Sequence, residues 1–488
     1  MDKLISKKSC RELTMNSLEN GSNPLNDEDT NTKKMIMFSL GYFFNAFMIV
    51  AFNNYVWTYY EGELGLIDIT ALWPIYLAIA NVIFTIWSMV TNPLIGYLTN
   101  KPLKWTRKRG FHSPWIVIGG IPTIILFFLL FTPPIVMGIE SILPILIYYL
   151  VISCLYDTSY SLFQIHSFGA FPAHFRGDLA RRKAGVITQI FTFSANFFAI
   201  MIWSQIIMPG DKTSFTIAAL ISTICLVFSL IIFIPGSKES DEIKERFILG
   251  YETTEKISFF STLKMAVKQK NFMLALVAYL SFMTALGITS MNAVYFVDDV
   301  LKEEQDIRTI SSIFMLISSF LTMPLWIRVA KKIGHSRAFT IGLIFMGFSY
   351  LLYLFIIDVI GFYLVSIFNG IAFTMYLIML SPIFADSYDE ITVKTKKHHE
   401  TTLVGIRNFF IRISLTIQSF IIAIIHTITF YKPNDPVHSN EALLGLRMIQ
   451  GLFPFIFCLI GALIFYKWYD MKGKKKQDIM KKLQEMGL

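Results

Sequence analysis

The segment Asn92–Trp115, NPLIGYLTNKPLKWTRKRGFHSPW, decides how the chain is read. It closes one apolar run with a proline and a glycine, gathers Arg107, Lys108 and Arg109, and opens a second apolar run behind Gly110-Phe111-His112-Ser113. A shorter copy stands far downstream. Pro324–Arg337, PLWIRVAKKIGHSR, again sets a proline ahead of a basic pair, Lys331 and Lys332, followed by Gly334-His335-Ser336 and a new apolar run. Small residues at such a joint allow close helix approach, and clustered bases mark the cytoplasmic side of a membrane. Arg107, Lys108, Arg109, Lys331 and Lys332 are therefore candidate gating contacts, with plain inside anchoring as the other reading. One joint repeated in both halves is the pattern of carriers that rock two bundles about a central site.

Composition agrees with a membrane protein. The chain has 488 residues, of which 54% are hydrophobic and only 16% charged, with 45 Phe; the mean hydropathy is +0.55. Apolar runs of about 20 residues suit membrane helices. About twelve are expected, over 35–60, 70–99, 114–133, 140–170, 184–207, 213–235, 271–297, 308–330, 337–357, 360–385, 402–430 and 443–467. Strand-type alternation is absent, so the fold class is all-α and polytopic, since lipid forces every backbone group to be satisfied internally.

The polar stretch 236–270 divides the runs into bundles over 35–235 and 271–467; a disordered cytoplasmic arm is expected over 1–34 and a basic cytoplasmic tail over 468–488. Bases after the even spans, including Lys101, Arg176, Arg181 and Arg182, place the even loops and both termini inside. The odd loops are acidic, with Glu61, Glu63, Asp68, Asp298 and Asp299. The net charge of +9 is used up by inside loops and tail, so membrane lipid, and no nucleic acid, is the expected partner. The four cysteines show no disulfide or metal-ligand spacing, and no cofactor or metal is expected.

Arg412 interrupts the apolar run Thr401–Tyr431, and Asp157 lies as deep in another span. Charges inside a bilayer are costly and mark transport routes, although a pair can also simply fix helix packing. On a helix Tyr160, Ser161 and Gln164 share much of the Asp157 face. Arg407 is expected to snorkel to the interface, and His166 reads either as a proton relay or as a hydrogen-bonded packing residue. Asp386, Asp389 and Glu400 sit where they can meet the basic joints and lock one state, or stay solvated.

Asn92–Thr99 with Arg107-Lys108-Arg109 and Pro114-Trp115-Ile116 resembles the helix-two joint of the major facilitator superfamily, most of all its glycoside–pentoside–hexuronide:cation symporter branch, the melibiose permease-like carriers. Ala170-Phe171-Pro172, Tyr295-Phe296-Val297, Ala385–Glu390 and Glu400–Arg412 resemble further parts of that branch. The resemblance implies a major facilitator fold of two pseudo-symmetric six-helix bundles. It also implies that Ser88 and Asn92 replace the paired helix-two carboxylates, that Asn45 or Ala46, and Gln164, fall at sugar-contacting acids, and that Gln189 replaces an arginine. Arg412 matches a lysine there, and arginine does not deprotonate in a protein.

The expected function is thus secondary active transport of a sugar-like or related small polar solute by alternating access, in symport with a proton rather than sodium. Asp157 either carries that proton or compensates Arg412, while Gln164, Gln189, Asn45 and Asn92 bond the solute. Uncoupled carriage, carriage of a lysophospholipid or organic anion, and a non-transporting scaffold or sensor remain the alternatives. No nucleophile–base arrangement points to an enzyme. A monomer in the plasma membrane is expected.

Overall fold

A computed structural model describes residues 31–64, 72–99, 102–133, 142–175, 178–208, 210–253, 259–395 and 400–485. Among these, twelve helices are long and apolar enough to cross a membrane: α1 Thr32–Glu63, α2 Trp73–Gly96, α3 Ser113–Leu130, α4 Leu143–Phe171, α5 Lys183–Ile206, α6 Lys212–Gly236, α7 Lys270–Leu301, α8 Asp306–Ile333, α9 His335–Leu354, α10 Val359–Lys394, α11 Gly405–Ile428 and α12 Asn440–Trp468. A tail helix, α13, spans Gly473–Glu485. Asp68, Lys101, Arg176 and nearly all of the expected arm lie outside the described residues, as do the side chains of Arg181, Arg182 and Glu400.

The repeated joint is built twice. Pro93 lies inside α2 and Pro324 inside α8. Gly110 and Gly334 then turn the chain at φ 95° and 88°, a region glycine enters without a Cβ clash. Capping sets other ends: Asn31 accepts from the Lys33 and Lys34 amides at the start of α1, and Ser439 from Ala442 at the start of α12. Where α3 crosses α4, a Cβ on Gly119 would come within 2.6 Å of the Phe163 amide nitrogen, so glycine permits the contact.

Two helices outrun their expected ends. α1 continues through π-helical segments at Phe52–Val56 and Tyr59–Glu63, and α7 through one at Phe296–Leu301. These wider turns aim acidic side chains inward, so Glu61, at 0% exposure, and Asp299 are buried rather than solvated loop acids. Within the expected span 402–430 the helix carries one turn residue, Arg412, between Glu400–Ile411 and Ile413–Ile428, with its backbone still right-handed helical at φ −61° and ψ −25°.

Two apolar cores form. One runs from Met35 to Phe233 and takes in residues of the second half only at Ile288–Tyr295, Ile422–Ile425, Tyr431 and Ala442–Ile449, all at the odd-loop ends of their helices. The other comprises Ala266 to Ile479. Polar bridges between the halves follow the same rule. The Asn81 amide of α2 donates to Ser419 of α11 at 3.0 Å, the Thr416 hydroxyl donates to Thr85 at 2.8 Å, and Ser204 bonds Thr309. The Arg308 guanidinium stands 5.1 Å from the Tyr55 ring centroid. At the even-loop end, by contrast, no described residue lies within 4 Å of where a Cβ would sit on Gly96, Gly185 or Gly405. The halves thus share a core at the odd-loop end.

Candidate functional site

The two intramembrane charges meet. Arg412 Nη1 lies 3.3 Å from Asp157 Oδ1, joining α11 to α4 across the bundle interface, with side-chain exposures of 18% and 2%. Arg412 sits at the one-residue turn in α11, and its carbonyl accepts from the Leu415 amide at 3.1 Å. Asp157 Oδ2 has no hydrogen-bond partner among the described residues. Removing one member of such a pair leaves a buried uncompensated charge, a cost of about 3–5 kcal/mol.

Around the pair the expected polar stripe is present, and much of it bonds to itself. Gln164 donates to the Tyr160 hydroxyl at 2.9 Å, and Tyr160 to the Asn45 carbonyl at 3.3 Å. The Asn45 amide donates to Gly41 at 2.7 Å and Ser167 at 2.9 Å, leaving Asn45 Oδ1 buried and unpartnered. Asn92 donates to the Ser88 carbonyl at 2.8 Å and hydroxyl at 3.1 Å, and Ser88 faces Asp157. The Ser161 hydroxyl is buried without a partner. Gln189 stands apart, exposed one turn from Gly185. Toward the odd-loop end, Phe52, Tyr156 and Tyr160 stack, with centroids 5.1 and 5.8 Å apart. Beyond them only about 30 Å³ is free between Phe52, Trp57, Asn81 and Leu415, room for about one water.

Arg407 does not snorkel as expected: its guanidinium lies 5.2 Å from the Phe384 ring centroid and 5.8 Å from that of Tyr279, with Nε buried and unpartnered. His166 is hydrogen-bonded, 3.2 Å from His112 and 2.9 Å from the Thr99 hydroxyl. Of the even-loop acids, two turn to the tail. Asp386 pairs with Lys476 at 2.6 Å and Glu390 with Lys475 at 3.1 Å, while Arg107, Lys108, Arg109, Lys331 and Lys332 are exposed and hold no carboxylate among the described residues. Asp389 is half-buried and not free of partners.

Outside the membrane spans, Asp470 joins this even-loop cluster. Burial pushes its carboxyl up, but hydrogen bonds from Lys475, Asn271 and Lys270 outweigh burial and hold it down at about 2. Glu239, in the stretch after α6, is raised by burial, partly offset by the His112 and Phe111 amides that it accepts.

A buried cluster at the odd-loop end escaped the sequence reading. Glu61 accepts from Trp57 at 2.6 Å and from Tyr295 at 2.5 Å on one oxygen, and its other oxygen lies 2.7 Å from His426 Nδ1. Nearby, Asp299 accepts from Tyr431 and lies 2.8 Å from His438 Nε2. The available signal was Glu61 and His426 each standing at the edge of a spanning run.

A family model described as MFS/sugar transport protein matches residues 37–472. The sodium-dependent lysophosphatidylcholine symporter 1-A of Danio rerio is 21% identical over 463 residues, covering 86% of this chain and 84% of that protein. The lactose permease of Leuconostoc lactis is 23% identical over 483 residues, covering 93% of this chain and 72% of its own length. The crystal structure of a D-xylose–proton symporter has the same fold, with a TM-score of 0.57, 13% identity, and coverage of 90% of this chain and 98% of that one.

Proposed function

Because the chain belongs to the MFS/sugar transport protein family, a group of multi-pass membrane carriers rather than enzymes, we propose that its solute is a lysophospholipid or a related amphiphile with an anionic phosphate. The observation that carries this is the Arg412–Asp157 pair at the bundle interface. Arginine offers a forked, permanently charged donor set that matches phosphate, and Asp157 compensates that charge until a headgroup replaces it. A neutral sugar gives no such exchange of counter-ion. The likeness to lysophosphatidylcholine symporters over most of both chains supports the same cargo class.

Sugar carriage is the second reading, favoured by the amide and hydroxyl stripe of Gln164, Tyr160 and Asn45 and by the likeness to a lactose permease. Placement in the glycoside–pentoside–hexuronide branch, bundles over 35–235 and 271–467, a plasma-membrane location and cytoplasmic termini are further parts of the proposal. They rest on the repeated joint and on the basic even loops. For coupling we favour a proton. Sodium needs several oxygen ligands with an anionic partner, and the helix-two positions that resemble the branch's coupling acids are Ser88 and Asn92. A thermal-shift screen of lysophosphatidylcholine, lysophosphatidic acid and lactose tests the cargo. The lysolipids are expected to raise Tm in the native chain and to lose that effect in Arg412→Ala; a shift with lactose alone supports the sugar reading instead.

A further inference from the structure

We infer that the groove between the first basic joint, the start of α3 and the end of α6 binds the headgroup of an anionic phospholipid from the surrounding bilayer. This place belongs to the first half alone: α3 packs mainly on α4 and α6, and α6 on α1, α3 and α5. Neither Arg412 nor Asp157 lines it, so the lipid held here is distinct from the cargo proposed above.

The groove encloses about 490 Å³, within the size range of small-ligand sites, roughly 300–1,000 Å³. Its walls are tied together. The Ser113 hydroxyl, at the first residue of α3, donates to the Ser237 carbonyl just past α6 at 2.6 Å. The Phe111 ring stacks on Phe247 of the linker helix Asp241–Thr253, with centroids 3.5 Å apart. One part of the lining is apolar, from Val117, Ile118 and Ile234. These residues lie in membrane spans, and Ile118 is 45% exposed, so this part is continuous with the lipid-facing surface. The other part is basic, from Lys108, Arg109, Lys238 and Lys244. Trp105 completes the rim, its ring edge-on to Trp115 with centroids 5.7 Å apart, as an amphipathic indole sits at headgroup level.

The charges select the ligand. Glu239 is the carboxylate of the lining, and both of its oxygens are already taken, one by the Phe111 amide and the other by the His112 amide at 3.0 Å. Lys244 pairs with Asp241 at 2.9 Å. Lys108, Arg109 and Lys238 hold no carboxylate among the described residues. Three uncompensated cations favour a headgroup of net negative charge over a zwitterionic one, whose ammonium they repel. Arg109 adds a forked donor set that fits phosphate. A soluble phosphate would meet the same cations but gain nothing from the apolar lining, which acyl chains of the bilayer cover. The basic even loops favour the cytoplasmic side for this end, the side on which anionic lipids gather.

The test titrates the full chain, purified in a neutral detergent, with dioleoyl phosphatidylglycerol or dioleoyl phosphatidylcholine, and follows the first bound lipid by native mass spectrometry. Phosphatidylglycerol is expected to bind at least about tenfold tighter than phosphatidylcholine. Arg109→Ala and Lys238→Ala, both at exposed positions, are each expected to weaken phosphatidylglycerol about fivefold, the worth of one basic side chain near a membrane surface. Neither should change phosphatidylcholine binding, which also reports that each variant is folded. Lys104→Ala removes an exposed base of the same joint that does not line the groove, and should change neither lipid. Equal affinity for the two lipids overturns the inference. So does a loss in Lys104→Ala as large as in Arg109→Ala, which marks diffuse attraction to basic loops instead of a site. Displacement of phosphatidylglycerol by millimolar glycerophosphate overturns it as well, since the free anion is then the ligand. Cargo exchange is not read in this experiment, so failure of the cargo assignment leaves its outcome intact.

Discussion

The two ends of this molecule are held by opposite means. At the odd-loop end the halves share a core, and a dry carboxylate, Glu61, ties α1 to α7 and α11. At the even-loop end charges are plentiful, but the pairs found among the described residues stay within one half, Asp386 and Glu390 with the tail lysines, while no described residue stands within 4 Å of a Cβ on Gly96, Gly185 or Gly405. Burial rather than the number of charges decides which end ties the halves together, because a screened surface pair contributes little and a saturated buried one cannot be exchanged for water. Between the ends, Asp157 and Arg412 are the hinge point of the comparison.

The largest expected effect is at that midpoint. Arg412→Ala strands Asp157 in the interface and should destabilise the protein by about 3–5 kcal/mol, read as a fall in thermal unfolding temperature. Adding Asp157→Ala should return part of the loss, since no charge is then left unpaired; a double variant no more stable than the single one would show that the pair is not coupled. Where the halves share a core, Tyr295→Phe removes one bond to the Glu61 carboxyl group and should cost about 1.5–3 kcal/mol, read as a fall in thermal unfolding temperature. At the even-loop end the readouts separate. Gly405→Phe should leave the unfolding temperature nearly unchanged, because no described residue stands within 4 Å of its Cβ position, yet slow turnover about tenfold or more by hindering movement of that end.

The smallest effect is expected from the tail. Lys476→Ala removes a half-exposed ion pair with Asp386 and should shift stability by less than about 1 kcal/mol, an effect that salt also removes. The neighbouring acid gives this region its pH sign. Asp470 is held below its ordinary value of 3.8, at about 2, so its contribution is fully present above that ordinary value and is lost as pH falls through about 2. Docking of α13, followed by a fluorophore on the tail, should therefore persist at pH 5, and tail release at that pH would contradict the assignment.

The twelve helices were legible from the sequence because a bilayer admits few other solutions for long apolar runs, and the repeated Pro–basic–Gly joint announced the two halves. The charge pair was legible too: Arg412 and Asp157 are the deepest opposite charges in the spans, and the structure brings them within 3.3 Å. What escaped were side chains whose environment depends on local winding. Glu61 and Asp299 read as loop acids because a regular helix ends before them, whereas π-helical turns carry both inward. Arg407 read as an interfacial base because nothing in α11 itself reveals the rings of Tyr279 and Phe384, which come from α7 and α10. Asp386 read as either a partner of the basic joints or a solvated acid because the tail helix that supplies Lys476 is short and polar.

The account stands on Arg412 as the fixed charge that a phosphate-bearing cargo takes over from Asp157. Uptake of labelled lysophosphatidylcholine and of labelled lactose into liposomes holding the purified chain tests it most directly. The account predicts lysolipid uptake that falls at least tenfold in Arg412→Ala, and no lactose accumulation. Lactose uptake that persists in Arg412→Ala, with lysolipid left outside, would contradict it.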